Sequence, residues 1–525
     1  MWGDNIFLSN STFNNNSGTN GGAILWNGKN GTVSNSTFNN NIARMYGGAI
    51  RWEGANGALS NSTFNSNNAT ECGGAITWNS ANGTLSNSTF NSNNASKDGG
   101  AILCTGKSSA ISNSTFTNNK ARNGGAIEWG GEYGNVTSCL FVNNTATTNG
   151  SVYHNDFSRY SYSNFTNNIL LNNGPGEIYY IVFNGSNADY NWFGNNEINY
   201  NQKPYDNSNT WLFINGTVNP NMIGLSDISE ITFKLYSYDG SEIREYDNSI
   251  LYPINLSLST TRGTLSKDTA RLSEIFTFQG DSGGKTAISA KVEDVQSDIT
   301  IMTIMVRDGT SFWDLNRTIN GNNNTEITLN KNYTYNPEID SDFINGIIIN
   351  RTLTINGNKN TINGSDLARI FNIIADDVII DNIIFTNGNA DTGGAIYWEG
   401  DYGTLSNSTF NNNNASEYGG AIYWNGVNNT VSNSIFNSNT AYLGGAIYWE
   451  SRESENGTIS NSTFNNNTAK NFGGAICWYG NYGTVSNSTF NNNTAENQAG
   501  AIQWNGKNGV LNNSTFNNNT ARNQG

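Results

Sequence analysis

Residues able to do chemistry are few in this chain, and their types decide which reactions are open to it. Of 525 residues one is histidine, His154, and four are cysteines, Cys72, Cys104, Cys139 and Cys477. A histidine acting as a base needs an acid or a nucleophile beside it. No such motif surrounds His154, which reads as structural. The cysteine spacings contain no C-x-x-C and suit neither a metal site nor a disulfide framework. Polysaccharide-cleaving sites need paired carboxylates, or acids gathered around Ca²⁺ beside an Arg or Lys base. The acids Glu53, Glu71, Asp98, Glu128, Glu399, Asp401 and Glu417 instead fall at variable positions. Glu399 and Asp401 share a turn and Asp381 stands apart, the pattern of a solvated face. No Gly-rich stretch has phosphate-loop spacing followed by Lys-Ser/Thr. The expectation is therefore no catalytic residue, no metal, no cofactor, and a binding surface whose residues are unknown.

Asn-Ser-Thr begins at residues 10, 35, 61, 87, 113, 407, 461, 487 and 513. Each triplet matches the N-glycosylation sequon. Each also fits a repeat in which Asn stacks in turns or along a strand, with the hydroxyls facing out. The sequence leaves open whether Asn35 points in or out.

Such residues must be positioned by something, and the sequence is dominated by repeats. Phe recurs at 13, 38, 64, 90, 116 and 141, and again at 385, 410, 436, 464, 490 and 516. Gly-Gly-Ala-Ile begins at 21, 47, 73, 99 and 124, then at 393, 419, 444 and 473. Each unit holds two β-like runs, Ala-Ile-x-Trp and Val-Ser-Asn-Ser-Thr-Phe, bounded by Gly and Asn turn chemistry. Units this short cannot bury an apolar face alone and must stack. Three strands and three turns per coil is the expected geometry. The x of Ala-Ile-x-Trp is Leu25, Arg51, Thr77, Glu128, Tyr423 or Gln503, a mixture expected to face water, Cys477 included. Alternation then turns Ile24 and Trp26 inward. The Trp column continues through Cys104 and Trp129 to His154. Val33 and Phe38 differ in parity, so a corner or bulge must lie between them. Ser451–Glu455 lengthens one coil, either as a binding loop or as a neutral insertion.

Composition narrows the class further. Asn fills 100 positions and Gly 57, yet aromatics make up 12% at fixed spacing, which disordered tracts lack. The net charge of −15 argues against nucleic acid and against docking on anionic lipid. No run of 18 apolar residues is present, so no membrane insertion is expected. Both ends stop inside a repeat, which reads as a fragment with its export and anchoring signals elsewhere.

Asn thins abruptly between Asn221 and Asn316, where only Asn248 and Asn255 occur. Strand-like runs there are Glu230–Tyr238, Ile250–Ser259, Ser273–Phe278, Thr286–Val292 and Ile299–Val306. Their spacing suggests an Ig-like sandwich without a core disulfide. Ser311–Ile319 reads as a short helix. It begins an N-terminal cap that continues through Glu326–Tyr333, Gly346–Ile355 and Arg369–Phe385. Tyr190–Asn196 is expected to close the first set of repeats. The fold class is thus all-β, with two right-handed parallel β-helices connected by an Ig-like β-sandwich. The expected domains are 1–200 for a β-helix with a C-terminal cap, 201–306 for a connector and sandwich (core about 211–306), and 307–525 for the second β-helix with an N-terminal cap.

The pairing of Gly-Gly-Ala-Ile with Phe-x-x-Asn, as in Phe38–Asn41, Phe64–Asn67 and Phe436–Asn439, resembles the repeats of the chlamydial polymorphic membrane proteins. The full layout resembles Asn/Thr-rich adhesin-like surface proteins of methanogenic archaea. In those, such repeats are followed by a Tyr-Asn-Trp cap, an Ig-like domain and a restart like 346–364. This resemblance implies an extracellular or cell-surface, adhesin-like protein that is not an enzyme. Its partner would be an unknown cell-surface protein or glycan. The alternatives are a carbohydrate-active β-helix enzyme and an inert surface stalk.

Overall fold

A computed structural model describes residues 1–155, 162–174, 178–180, 186–194, 210–225, 227–292, 300–450 and 456–523. The extended coil at 451–455 lies outside them. The chain forms two compact units. One is Met1–Asn221, Ile228–Gln279 and Thr286–Ile304; the other is Met222–Asp227, Gly280–Lys285 and Met305–Gly525.

The repeats form a parallel β-solenoid with four strands per coil, not the three expected. In one coil these are Thr32–Ser34, Thr37–Asn39, Ile42–Tyr46 and Ile50–Trp52, here the Val, Phe, Ala and Trp strands. Each pairs in parallel with its counterpart one repeat later, as Phe38 with Phe64 and Trp52 with Trp78. The extra strand arises because Val-Ser-Asn-Ser-Thr-Phe is cut in two at Asn35. That residue has φ 47° and turns the chain. Asn30, Asn40 and Gly47 make the other corners, with φ 55°, 53° and 65°. Asn tolerates the left-handed region because its short polar side chain adds little strain there. At Gly47 a Cβ would lie 2.2 Å from the Ile50 carbonyl oxygen, so glycine is favoured there, although the matching corner of a later coil is Ala499 with φ 57°.

Corner placement settles what points inward. Phe38, Phe64, Phe90 and Phe116 are buried and stack with ring centroids 4.7–4.9 Å apart. Trp26, Trp52 and Trp78 form a second stacked column. Ile24 and Trp26 face inward as alternation requires. The Asn of Phe-x-x-Asn is also buried. Asn67 Oδ1 accepts from the backbone and side-chain amides of Asn41 at 3.0 and 2.9 Å. Asn67 Nδ2 donates to Asn93 Oδ1 at 3.0 Å and to the Phe38 carbonyl at 2.9 Å. Every hydrogen-bonding position of that amide is therefore used, which makes its burial affordable. A serine column runs alongside: Ser62 Oγ accepts from Ser36 N–H at 3.1 Å and donates to the Ser60 carbonyl at 2.8 Å.

In the second unit the same four strands recur, from Glu326–Thr328, Tyr333–Thr334 and Ile347–Ile349 onward. Phe410, Phe436, Phe464 and Phe490 repeat the Phe column, and Trp398, Trp424, Trp449 and Trp478 the Trp column. The helix spans Phe312–Asn320 with Ser311 as N-cap and Asp314 completing a capping box. It buries Phe312, Leu315 and Ile319 in the solenoid core. Asp340 accepts from the Phe312 and Trp313 amides at 2.9 and 2.8 Å, holding the helix start in place.

Residues between the solenoid stretches form antiparallel ladders. Trp211–Asn219, which the sequence did not distinguish as a strand, pairs with Ile228–Tyr238, and the latter with Ile275–Gln279. Asn255–Thr260 pairs with Thr269–Arg271 and Gly284–Val292. Met222–Gly224 runs parallel to Met305–Arg307. Ile299 falls outside the described residues. In the first unit Asn191 and Trp192 lay an incomplete coil over the preceding one, with Trp192 N–H donating to the Asn168 carbonyl at 2.9 Å. Asn195 and Asn196 are not among the described residues.

Candidate functional site

The acids singled out in the sequence are dispersed around the coils. Glu53 pairs with Arg51 at 2.5 Å, and Glu71 with Lys97. Asp98 accepts from Asn123 Nδ2 at 3.0 Å, and Asp381 from Ser406 Oγ at 2.6 Å. Asp401 accepts from the Val427 amide at 2.8 Å, while Glu417 is exposed. Among the described residues no group of three or more His, Cys, Asp or Glu could hold a metal ion.

Three expectations about columns are corrected. The x position of the Trp strand does not uniformly face water: Thr77, Glu128 and Cys477 there are 1%, 1% and 0% exposed. His154 belongs to this column and not to the Trp column, because Glu128 aligns with His154. The left-handed first glycine of the coil is Gly150, with φ 60°, and this moves the register by one residue. His154 does have an acid beside it, Glu128, whose Oε2 lies 2.7 Å from Nδ1. A carboxylate orienting an imidazole makes up two of the three members of a catalytic triad. Here both side chains are buried, which withdraws them from substrate and suits them to hold two coils together.

The four cysteines are free. Cys104 takes a Trp-column place opposite Trp78, and Cys139 stands in the serine column, its Sγ 3.3 Å from the Thr137 carbonyl. Burial pushes both thiols up to about 12, so neither is an activated nucleophile.

In the second unit the x column carries a different pattern. Tyr397, Tyr423 and Tyr448 occupy it on three successive coils, in register. Their rings stack at 5.0 and 5.5 Å, nearly parallel. Tyr418 leans against Tyr448 at 4.8 Å, and Tyr479 extends the strip at 5.6 Å. Two carboxylates border it: Tyr397 OH donates to Glu399 Oε1 at 3.0 Å, and Tyr423 OH to Glu450 Oε2 at 2.9 Å. The Arg369 guanidinium covers the Tyr397 ring at 5.3 Å, held by bonds to the Thr392 and Gly393 carbonyls. Burial, then the Glu450 carboxylate, raises Tyr423, and the same two causes raise Tyr448, so these remain neutral phenols.

Stacking at coil spacing has a chemical consequence. The ring faces are spent on each other and Tyr448 is buried, so the strip offers the ring edges of half-buried Tyr397 and Tyr423 and the carboxylates that accept from their hydroxyls. Such a surface can bind by hydrogen bonding, and it holds no activated nucleophile. The sequence showed Tyr423 only as one more member of a variable column. The run Tyr397, Tyr423, Tyr448 was legible in Ala-Ile-Tyr-Trp at 395, 421 and 446.

Residues 87–105, 113–128, 407–423 and 461–477 match the Chlamydia polymorphic membrane protein repeat, in both solenoid stretches. These segments are similar to that repeat family, and they carry its Gly-Gly-Ala-Ile and Asn-Ser-Thr-Phe elements. No curated protein sequence matches the chain. A solved PL6 alginate lyase in complex with trisaccharide is 9% identical over 93% of this chain and 80% of its own, at TM-score 0.30. An alginate lyase complex with G6 is 11% identical over the same shares, at TM-score 0.29. At those TM-scores neither bears on function. No helix among the described residues is long and apolar enough to cross a membrane.

Proposed function

We propose that this chain is part of an extracellular, adhesin-like surface protein that binds and does not catalyse. Two right-handed β-helical stretches, spaced by an Ig-like sandwich at about residues 211–306, present a lateral contact face. The observation that carries the reading is the tyrosine strip. A side-chain position that elsewhere accepts Arg, Thr, Leu or Glu is Tyr on three successive coils of the second stretch. Tyrosine brings a large, stiff contact area and a hydroxyl at low entropic cost, the property that favours it in binding surfaces. The likeness of the repeats to a polymorphic membrane protein family supports a surface location. The ligand class that fits neutral phenols beside Glu399 and Glu450 is a glycan or protein segment rich in hydroxyl or amino groups.

The test applies the purified chain to glycan and cell-surface arrays and assays reducing-sugar release in the same wells. Binding without release, weakened at least tenfold in the Tyr397→Ser/Tyr423→Ser double variant, is the expected result. Sugar release would replace this reading with an enzyme, and silence in both assays would favour a stalk.

A further inference from the structure

We propose that the Asn of the Asn-Ser-Thr corners is an N-glycan acceptor, and that coil spacing limits occupancy to about every second coil. Three kinds of asparagine in the solenoid bear on this. Those of Phe-x-x-Asn are buried with the amide saturated, as at Asn67. Those two residues after each Thr of the Phe strand face out but are tied to the next coil, as Asn65 Nδ2 to Asn39 Oδ1 at 3.1 Å. Asn10, Asn35, Asn61, Asn87, Asn113, Asn461, Asn487 and Asn513 belong to neither kind. All are exposed corner residues, with φ 47–50° for those from Asn10 to Asn61 and 48–50° for the rest. Among the described residues their side-chain amides make no hydrogen bond. Asn407, the ninth, differs in donating to Asp381 Oδ1 at 2.6 Å.

The rest of the triplet fits the same role. Ser62 is locked in the buried serine column, so it fixes the corner. Thr63 faces outward on the Phe strand, two residues from Asn61, as the sequon requires. Asn143, Asn466, Asn492 and Asn518 begin Asn-Asn-Thr at the next corner and are exposed too, but the sequons at Asn82 and Asn94 have their Asn engaged. Asn82 Nδ2 donates to Asn56 Oδ1 at 3.0 Å, and Asn94 Nδ2 to Asn68 Oδ1 at 2.8 Å. A glycan on either would break a ladder, whereas one on Asn61 projects into solvent and breaks nothing.

The co-reactant is a phosphate-linked oligosaccharide, used by a membrane transferase. The Asn61 amide nitrogen attacks the anomeric carbon and a C–N bond forms. The anomeric C–O bond breaks, its electrons leave with the phosphate, and the amide gives up one proton. Neighbouring corners are only about 4.8 Å apart, the interstrand spacing, so a branched glycan on one hinders the next. The proposal rests on the surface reading, because the donor and transferase lie on the export route.

The experiment attaches an export signal to the full chain in a host with N-glycosylation, so its outcome does not depend on where the natural protein resides. Glycopeptides are mapped by mass spectrometry in secreted and cell-associated pools, with Thr63→Val alongside. Expected are glycans on the eight corner residues, at about half occupancy, and none on Asn82 or Asn94 in secreted protein. Thr63→Val should clear Asn61 and raise occupancy at Asn35 and Asn87, with the thermal midpoint unchanged. Unmodified corners in both pools, or secreted protein with Asn82 and Asn94 modified as fully as Asn61, would overturn the proposal. Neither result would touch the binding reading, which is tested on arrays.

Discussion

At the scale of single residues, Asn does three jobs that its letter does not separate. Asn65 and Asn67 are two positions apart, yet Asn67 is buried while Asn65 faces solvent. Asn67→Ala leaves the Asn41 amides without their acceptor and removes the side-chain bonds to the Phe38 carbonyl and Asn93 Oδ1, and should destabilise by about 3–5 kcal/mol. Asn65→Ala exposes only groups that water can satisfy and should change stability by less than about 0.5 kcal/mol. Urea denaturation midpoints of the two variants check this, and equal losses would refute the buried ladder. The sequence supplied the Phe column and the corner between Val33 and Phe38 through spacing and parity alone. It missed the burial of the x column because charge was taken to signal water. Glu128 is buried all the same, since His154 from the next coil meets its carboxylate.

At the scale of the strand and its column, substitutions are governed by which partner the neighbouring coil supplies. Cys139 fills a serine place and Cys104 a tryptophan place, and each keeps its thiol protonated by burial. Their folded-state values near 12 exceed the ordinary 9.0. The unfolded chain therefore releases these protons first as pH rises. The stability each contributes is complete below about pH 9 and declines by about 1.4 kcal/mol per unit until the folded value is reached. Denaturation midpoints measured from pH 8 to 11 should fall, and less steeply in a Cys104→Ala/Cys139→Ser variant. Identical slopes would show that the thiols are not the titrating groups. The count of strands was the main element-level error. Asn inside Val-Ser-Asn-Ser-Thr-Phe looks like a strand residue until its left-handed backbone is seen, whereas the helix at 312–320 was legible from Ser311 and the apolar spacing of Phe312, Leu315 and Ile319.

At the scale of the molecule, each coil pairs only with those before and after it. Stability in such a stack is close to a sum of coil and interface terms. Deleting Asn61–Ser86 removes one complete period and rejoins Ser60 to Asn87, so every column stays in register. That variant should keep its far-ultraviolet dichroism and lose only a small share of stability. Deleting half as many residues, Asn61–Gly73, places strands against corners and should abolish cooperative unfolding. A folded half-coil deletion would mean that register is not what holds the stack.

The four-cornered coil also has a mechanical meaning. A period of 26 residues occupies only about 4.8 Å of axis but stores roughly 90 Å of extended chain. Tension applied along the chain would therefore open the stack one period at a time, each step feeding out slack and capping the load on the next. A stack built this way yields gradually under load instead of parting at a single bond.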